Sequence, residues 1–556
     1  MTKETISICT RDGVRLDADV YRPDAEGTFP VLLMRQPYGR SIASTVVYAH
    51  PSWYASHGYI VVIQDVRGRG TSEGEFKLFE TEIEDGFDTV KWAAKLPGSN
   101  GKVGMYGFSY QGMTQLYAAA AKPPALKTIC PAMIAYDLYS DWAYENGAFC
   151  WQANLGWAIQ LAAETARLRG DEKSFQALYA ASRNLPLSDL IPAYPEILKN
   201  LAPDSYYHDW INHPQPDKYW QKLSPKTYFP KVDLPMLHVG GWFDPYLRGT
   251  LNLYKEMASR SAFPQHLVVG PWAHLPWGRK VGAIDYSPTA ENPIDELQIR
   301  WFDYFLKGID TGLFNELPIC LFEMGSNLWK SLKKWPTDNQ KAYYLLSNGL
   351  ASMRDDAGKL TNIRPLPPIL GVSYSDSSIT DVFVHDPWRP VPALGGHATI
   401  PAGSFDRSAI DCRTDVLTYT SEPLLEDLHL AGDVIVEIYC TADKPSFDLC
   451  AVLSEVKNNG SVYNFTQGYV RVEHFQIESG NEVKTAPLKF FLQPTCVRIA
   501  KGDRLRLSIS AACFPAYPVN PGTGSQPNET RLIEAKIITL SVKSGGKFTS
   551  KILLPV

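Results

Sequence analysis

Four residues placed just past four apolar runs carry the chemistry this sequence can do. Ser109 lies in Gly107-Phe108-Ser109-Tyr110-Gln111-Gly112, between the apolar KVGMY and the helix-forming MTQLYAAAAK. A serine on such a tight strand-to-helix turn presents its hydroxyl as a nucleophile, although the second glycine falls one place later than in G-x-S-x-G. A hydroxyl is a weak nucleophile, so it needs a base within hydrogen-bond reach and a carboxylate to orient that base. Asp244 directly follows LHVGGWF and His274 directly follows LVVGPWA, giving the order Ser, Asp, His along the chain. Of the eleven histidines only His274 caps a strand downstream of such an Asp; His238 lies inside a strand, His266 precedes one, and His57 comes before the serine. Tyr38, in RQPYGR, could donate to a developing oxyanion together with the backbone N–H of Tyr110. Taken singly, Ser109 could be an ordinary serine and Tyr38 a packing residue. The ordered strand ends argue for a triad and acyl transfer.

These side chains need a scaffold, and the hydrophobic pattern supplies one. Residues 5–22 alternate around Arg11-Asp12-Gly13, a hairpin signal. From Phe29 short apolar runs recur, among them PVLLMRQPY, GYIVVIQDVRG, KVGMYGFSYQG and LKTICPAMIAY, most followed by a helical stretch. Runs of this length suit parallel strands buried on both faces, hence an α/β domain over 1–135 and 229–316. Residues 136–228 turn to helical spacing and are dense in aromatics, which reads as an inserted helical cap. Trp142, Phe149, Trp151 and, from the strand before the acid, Phe243 are expected to line a substrate pocket, the alternative being a core of the cap's own. ENPIDELQIRWFDYFLKG starts near Pro293, stops at Gly308 and carries Ile294, Leu297, Trp301, Tyr304 and Phe305 on one stripe. It should close the α/β domain. From 317 to 556 the period becomes two, with Val434, Val436 and Ile438 on one face and likewise Leu505, Leu507 and Ile509, so an all-β sandwich or jelly roll is expected.

Several motifs together resemble one family. They are PY at Tyr38, DVRGRGTSEG from Asp65 to Gly74, the Ser109 turn, GWFD at Asp244, GPWAH at His274 and RWFDYFLKG; in the β region they are DPWRPVPALGG, LTYTSEPLLEDLHLAG and FPAYPVN. The set is similar to the cocaine esterase/NonD family of serine hydrolases, relatives of X-Pro dipeptidyl peptidases and α-amino-acid ester hydrolases, and spans nearly the whole chain. The resemblance implies an α/β-hydrolase domain with a helical cap and a C-terminal jelly roll. It further implies Ser109 as nucleophile, His274 as general base and acid, Asp244 as its orienter, and Tyr38 with the Tyr110 N–H as oxyanion hole. The family's elbow carries Tyr after the nucleophile and Gly three places after it, which accounts for Gly112. Asp65, Arg67 and Gly70 read as loop architecture. The X-Pro peptidases carry an extra N-terminal domain not seen ahead of the first strand here, which turns the expectation away from a dipeptidyl peptidase. Asp137, Asp141 and Glu145 could match the carboxylates with which the ester hydrolases hold a substrate ammonium, but a solvated helix face is the favoured reading.

Composition bounds the rest. The 556 residues carry 54 Lys and Arg against 59 Asp and Glu, a net charge of −5, so neither nucleic acid nor a membrane surface is an expected partner. With 40 Gly and 41 Pro, many turns and much β-structure are expected. No apolar run is long enough to span a bilayer and the first residues do not form a signal peptide, so the cytoplasm is the expected compartment. The nine cysteines are scattered without a C-x-x-C pair and read as buried thiols, and no H-E-x-x-H or Walker-type loop appears. Neither metal nor organic cofactor is expected. The sequence thus points to a serine hydrolase acting on a small ester or amide through an acyl-enzyme, with a homo-oligomer allowed by the resemblance. Acyl transfer to another acceptor, an aminopeptidase-type acylase and a catalytically silent binding protein are the alternatives.

Overall fold

The computed structural model describes residues 2–41, 45–336, 339–364, 378–473, 486–546 and 548–556. A ten-stranded sheet organises the first part of the chain. Its strands are β1 (Thr2–Cys9), β2 (Arg15–Arg22), β3 (Phe29–Gln36), β4 (Ile60–Asp65), β5 (Ser99–Phe108), β6 (Leu126–Ala132), β7 (Met236–Phe243), β8 (Gln265–Ala273), β9 (Ile319–Glu323) and β10 (Leu328–Leu332), in the spatial order β1-β2-β4-β3-β5-β6-β7-β8-β9-β10. From β4 to β9 all neighbours are parallel. Every residue of β4, β7 and β8 is buried, as strands covered on both faces require. The hairpin β1–β2 pairs Ile8 with Leu16 across the turn at Gly13, whose φ of 85° suits glycine.

Helices α1 (Glu82–Ala93), α2 (Tyr110–Ala120), α4 (Leu247–Arg260) and α5 (Ile294–Phe302) cover the sheet, while α3 (Trp151–Leu168) lies in the insertion. Between β6 and β7 the chain leaves the sheet for a short hairpin (Tyr144–Glu145 with Ala148–Phe149), α3 and a series of shorter helices, the expected cap. Ile294 and Trp301 of α5 are fully buried, but Tyr304 is exposed, because the last turn, Asp303–Lys307, winds as a π-helix and rotates the stripe. Gly308, left-handed at φ 75°, ends it.

The expected boundary at 317 lies inside the large sheet rather than at its end. β9 pairs in parallel with β8, Leu267 opposite Ile319, and β10 then pairs with β9. A strand's own pattern does not say which sheet it pairs into, so periodicity alone does not separate the two domains. Beyond them, from Gln340–Leu346 to Lys551–Pro555, the described residues build an eleven-stranded sheet with a smaller pair of strands, Leu428–Gly432 and Thr495–Ile499. Val434, Val436, Ile438, Leu505, Leu507 and Ile509 are all fully buried, as the alternation required. One hydrophobic cluster runs from Trp242, Phe243 and Leu247 through Phe322 to Leu430 and Phe490, so the two domains share a core. All nine cysteines are free; seven are at least partly buried, while Cys9 and Cys412 are exposed, against expectation, because each sits at the solvent end of its element.

Candidate active site

Tyr38, Ser109, Asp244 and His274 each sit just past the carboxyl end of a parallel strand, β3, β5, β7 and β8 respectively, so the topology gathers them along one edge of the sheet. Ser109 occupies φ 56° and ψ −128°, a backbone conformation that costs a non-glycine residue about 1–3 kcal/mol and that the surroundings must impose. Its N–H donates to Ala132 O at 3.0 Å, and Met113 N–H donates to its carbonyl at 2.9 Å. Gln115 staples the turn to β6 by donating to Gly107 O at 3.0 Å and accepting from Cys130 N at 3.0 Å. A Cβ at Gly112 would stand 2.3 Å from Ile134 Cγ2 and 2.9 Å from Ala132 O. The second glycine falls at 112 because α2 crosses β6 there at backbone contact.

Tyr110 is fixed from below. Its hydroxyl donates to Glu82 Oε1 at 2.9 Å, and Glu82 Oε2 pairs with Arg35 at 2.5 Å in a fully buried network. Burial pushes the Glu82 carboxyl up, and Arg35 pulls it back. As the first helical residue Tyr110 has no intrahelical acceptor for its own N–H. Tyr38 is half-buried and its oxygen accepts from Trp157 Nε1 at 3.2 Å. Burial pushes its phenol up to about 12, with Trp157, the charge of Arg69 and a hydrogen bond with Ser109 pulling the other way. The phenol is therefore protonated near neutral pH, and since Trp157 supplies a donor to its oxygen, its own hydrogen can serve an acceptor on the Ser109 side. The Tyr38 loop is held by Asp65, whose carboxylate accepts from Arg40 N at 2.6 Å and pairs with the Arg40 guanidinium at 2.5 Å. Gly70 is glycine because a Cβ there would meet Asp65 Oδ2 at 2.0 Å, while Arg67 ties Asp12 to Asp85.

His274 Nδ1 and Asp244 Oδ1 are 2.8 Å apart, with Asp244 fully buried and His274 partly exposed. The imidazole lies 5.4 Å from the Phe108 ring, next in sequence to Ser109, and 4.9 Å from Tyr246 in an edge-on contact. A strained, partly exposed serine, an imidazole and a buried carboxylate aligned along one sheet edge can do nucleophilic acyl transfer.

Of the expected pocket residues, Trp142 stands nearest this chemistry. It packs 5.6 Å from Trp157 and hydrogen-bonds the Tyr246 hydroxyl, so two cap tryptophans hold the two tyrosines that flank the site. The other three sit in packed cores. Phe149 lies between Tyr144 and Tyr207, Trp151 against Phe514 of the β domain, and Phe243 in the shared interdomain cluster. Each is fully buried: Phe149 is spent on the cap's own core, Trp151 on joining the cap to the β domain, and Phe243 on the interdomain cluster. Asp141 and Glu145 are also buried rather than on a solvated face. Asp141 accepts from Tyr136 N, Asp137 N and Asn252, while Glu145 meets Arg248 at 2.9 Å, His397 at 3.0 Å and Tyr517 at 2.5 Å. Asp137 stays partly exposed beside Lys226. Trp157 and Tyr246 were not legible in the sequence; only Tyr246 had a local signal, two places after the acid.

Known proteins resemble this chain along most of its length. Residues 12–276 match the X-Pro dipeptidyl-peptidase (S15 family) model, and residues 304–549 match that of the X-Pro dipeptidyl-peptidase C-terminal non-catalytic domain. Cocaine esterase of Rhodococcus sp. (strain MB1 Bresler) is 29% identical over 99% of this chain and 98% of its own. The chain belongs to the cocaine esterase/NonD family of serine hydrolases. Two solved structures share this family member's fold across its whole length and 96% of theirs: an aminopeptidase from a marine sediment archaeon, Thaumarchaeota archaeon (23% identity, TM-score 0.80), and an α-amino acid ester hydrolase (24%, 0.77). The cocaine esterase/NonD chain is thus an α/β hydrolase with a strand-rich C-terminal domain. Among the described residues no helix is long and apolar enough to cross a membrane.

Proposed function

We propose that this family member cleaves a carboxylic ester or amide of a small molecule through an acyl-enzyme on Ser109. The observation that carries the reading is the 2.8 Å His274–Asp244 contact beside the strained Ser109 turn. With the carboxylate oxygen accepting, the proton sits on Nδ1, and Nε2 is the atom we assign as the base for Ser109. His274 takes the hydroxyl proton as Ser109 Oγ attacks the carbonyl carbon, then returns it to the departing alcohol or amine; water repeats the sequence in reverse to release the acid. Tyr38 and the Tyr110 N–H receive the negative oxygen of each tetrahedral intermediate. Trp142 and Trp157 are the cap residues we assign to the pocket wall. We read the C-terminal domain as a jelly roll, supported by its alternating strands, and place the enzyme in the cytoplasm, which nine free thiols fit. Net charge −5 supports a small-molecule substrate over nucleic acid.

Intact-mass measurement after exposure to a fluorophosphonate tests the nucleophile. A single adduct on the wild-type chain that is absent from Ser109→Ala is expected. Labelling that survives in the variant would place the reactive group elsewhere.

A further inference from the structure

The acid of the site is held from another domain. Gln493 lies between the strands Leu488–Phe491 and Thr495–Ile499 of the β domain and is 1% exposed. Its Nε2 donates to Trp242 O at 3.0 Å and to Asp244 O at 2.9 Å. A carboxamide nitrogen has two hydrogens, and here both go to the two carbonyls that bracket Phe243 on the turn carrying the acid. The reverse orientation would set an oxygen against both carbonyls, so the partners themselves fix which way the amide points. Gln493 is anchored in turn, its N–H donating to Gln467 O at 2.9 Å and its carbonyl accepting from Thr466 Oγ1 at 2.5 Å.

The Asp244 carboxylate has little else to aim it. Oδ1 meets His274, while Oδ2 is buried with no hydrogen-bond partner among the described residues. Its direction is therefore set by its own backbone, which is closed locally by Asp244 N to Gly241 O at 3.0 Å and Leu247 N to Asp244 O at 3.2 Å. Gln493 is the long-range clamp on that same backbone.

We propose that Gln493 is a positioning residue for the Asp244–His274 pair: by clamping the Trp242 and Asp244 carbonyls, the C-terminal domain aims the carboxylate of the hydrolase domain. The inference rests on Asp244 being the triad acid. A displacement of about 1 Å in such a group costs on the order of 10²-fold in rate without weakening substrate binding in proportion.

The test uses the full-length chain with Gln493→Leu, Gln493→Asn, Asp244→Asn and the double variant Asp244→Asn/Gln493→Leu, assayed on whichever chromogenic ester the wild type turns over. Gln493→Leu is expected to lower kcat by about 10- to 100-fold with KM changed by less than about threefold. Gln493→Asn, which keeps an amide but is one methylene shorter, should recover part of that loss. In the Asp244→Asn background, where kcat has already fallen by about 10⁴-fold, Gln493→Leu should cost nothing further. Wild-type kcat in Gln493→Leu, or losses that add in the double variant, would overturn the inference while leaving the triad intact. Wild-type kcat in Asp244→Asn would overturn the triad reading itself. If Gln493→Leu fails to fold, Gln493→Asn carries the question, and an undiminished kcat there refutes the clamp.

Discussion

Tyr38→Phe tests the part of the site proposed to stabilise charge. The substitution removes one oxygen and leaves the ring, the loop fixed by Asp65 and Arg40, and the Ser109 turn in place. In the ground state the lost oxygen has two side-chain partners, Trp157 at 3.2 Å and Ser109. Tyr38 is half-buried, so water can reach the orphaned indole N–H, and the stability cost should be about 1 kcal/mol or less. In the transition state we propose, the phenol is one of two donors to the oxyanion, the Tyr110 N–H being the other, and loss of one such donor costs about 10²- to 10³-fold in kcat, or about 2.7–4 kcal/mol. Because the neutral carbonyl of the substrate demands little of that donor, KM should barely move. Burial raises the phenol's pKa to about 12, so the wild type should lose no activity through Tyr38 at moderately alkaline pH, well below that value. Steady-state kinetics on a chromogenic ester, with the fluorophosphonate labelling rate as a second readout, measures the effect. Retention of kcat within about twofold in a folded Tyr38→Phe variant would refute the oxyanion role and reduce Tyr38 to a packing residue.

Two further expectations follow from buried geometry. Gly112→Ala sets a methyl 2.3 Å from Ile134 Cγ2 and 2.9 Å from Ala132 O, so α2 must move off β6; a stability loss of about 1–3 kcal/mol with a fall in kcat is expected, and a variant with unchanged melting and turnover would contradict the close crossing. For Glu145, burial pushes the carboxyl up, but Arg248, His397 and Tyr517 together hold it well below the ordinary value of 4.5. A depressed carboxyl contributes stability that is present above the unfolded value and lost as pH falls through the folded one. Glu145→Gln, which leaves the Arg248 charge without its carboxylate, should therefore cost about 3–5 kcal/mol near pH 7, and the gap to wild type in denaturant midpoint should narrow below about pH 4.5. A gap that stays constant from pH 7 to 3.5 would exclude this role for the ion pair.

What the sequence made legible is what a local pattern determines. Buried parallel strands write themselves as apolar runs closed by Gly, Pro or Asp, and the residue just past each run is forced to the carboxyl edge of the sheet. Ser109, Asp244, His274 and Tyr38 could be placed for that reason, before any contact between them was known. The shifted glycine at 112 was visible as an anomaly in sequence and became intelligible only through its contact with Ala132 on the neighbouring strand. The strands β9 and β10 lie beyond the boundary expected at 317 yet extend the first sheet, since a strand's own pattern does not say which sheet it joins.

Glu145, singled out in the sequence but read as solvated, and Gln493, not singled out at all, share one physical property: their meaning lies in contacts across domains, which no spacing encodes. Glu145 of the cap joins Arg248, one helical turn past the acid, to His397 and Tyr517 of the β domain, and Gln493 of that domain clamps the acid's own turn. Asp244 thus stands between two interdomain ties on one short stretch of chain, one gripping its carbonyl and one gripping the helix that follows it. A carboxylate whose second oxygen has no partner among the described residues depends on such ties for its aim. On the proposed reading the cap and the β domain help position the site without either supplying a member of the triad. Substitutions at these junctions should appear in kcat before they appear in KM, since they act on the geometry of the pair rather than on the pocket.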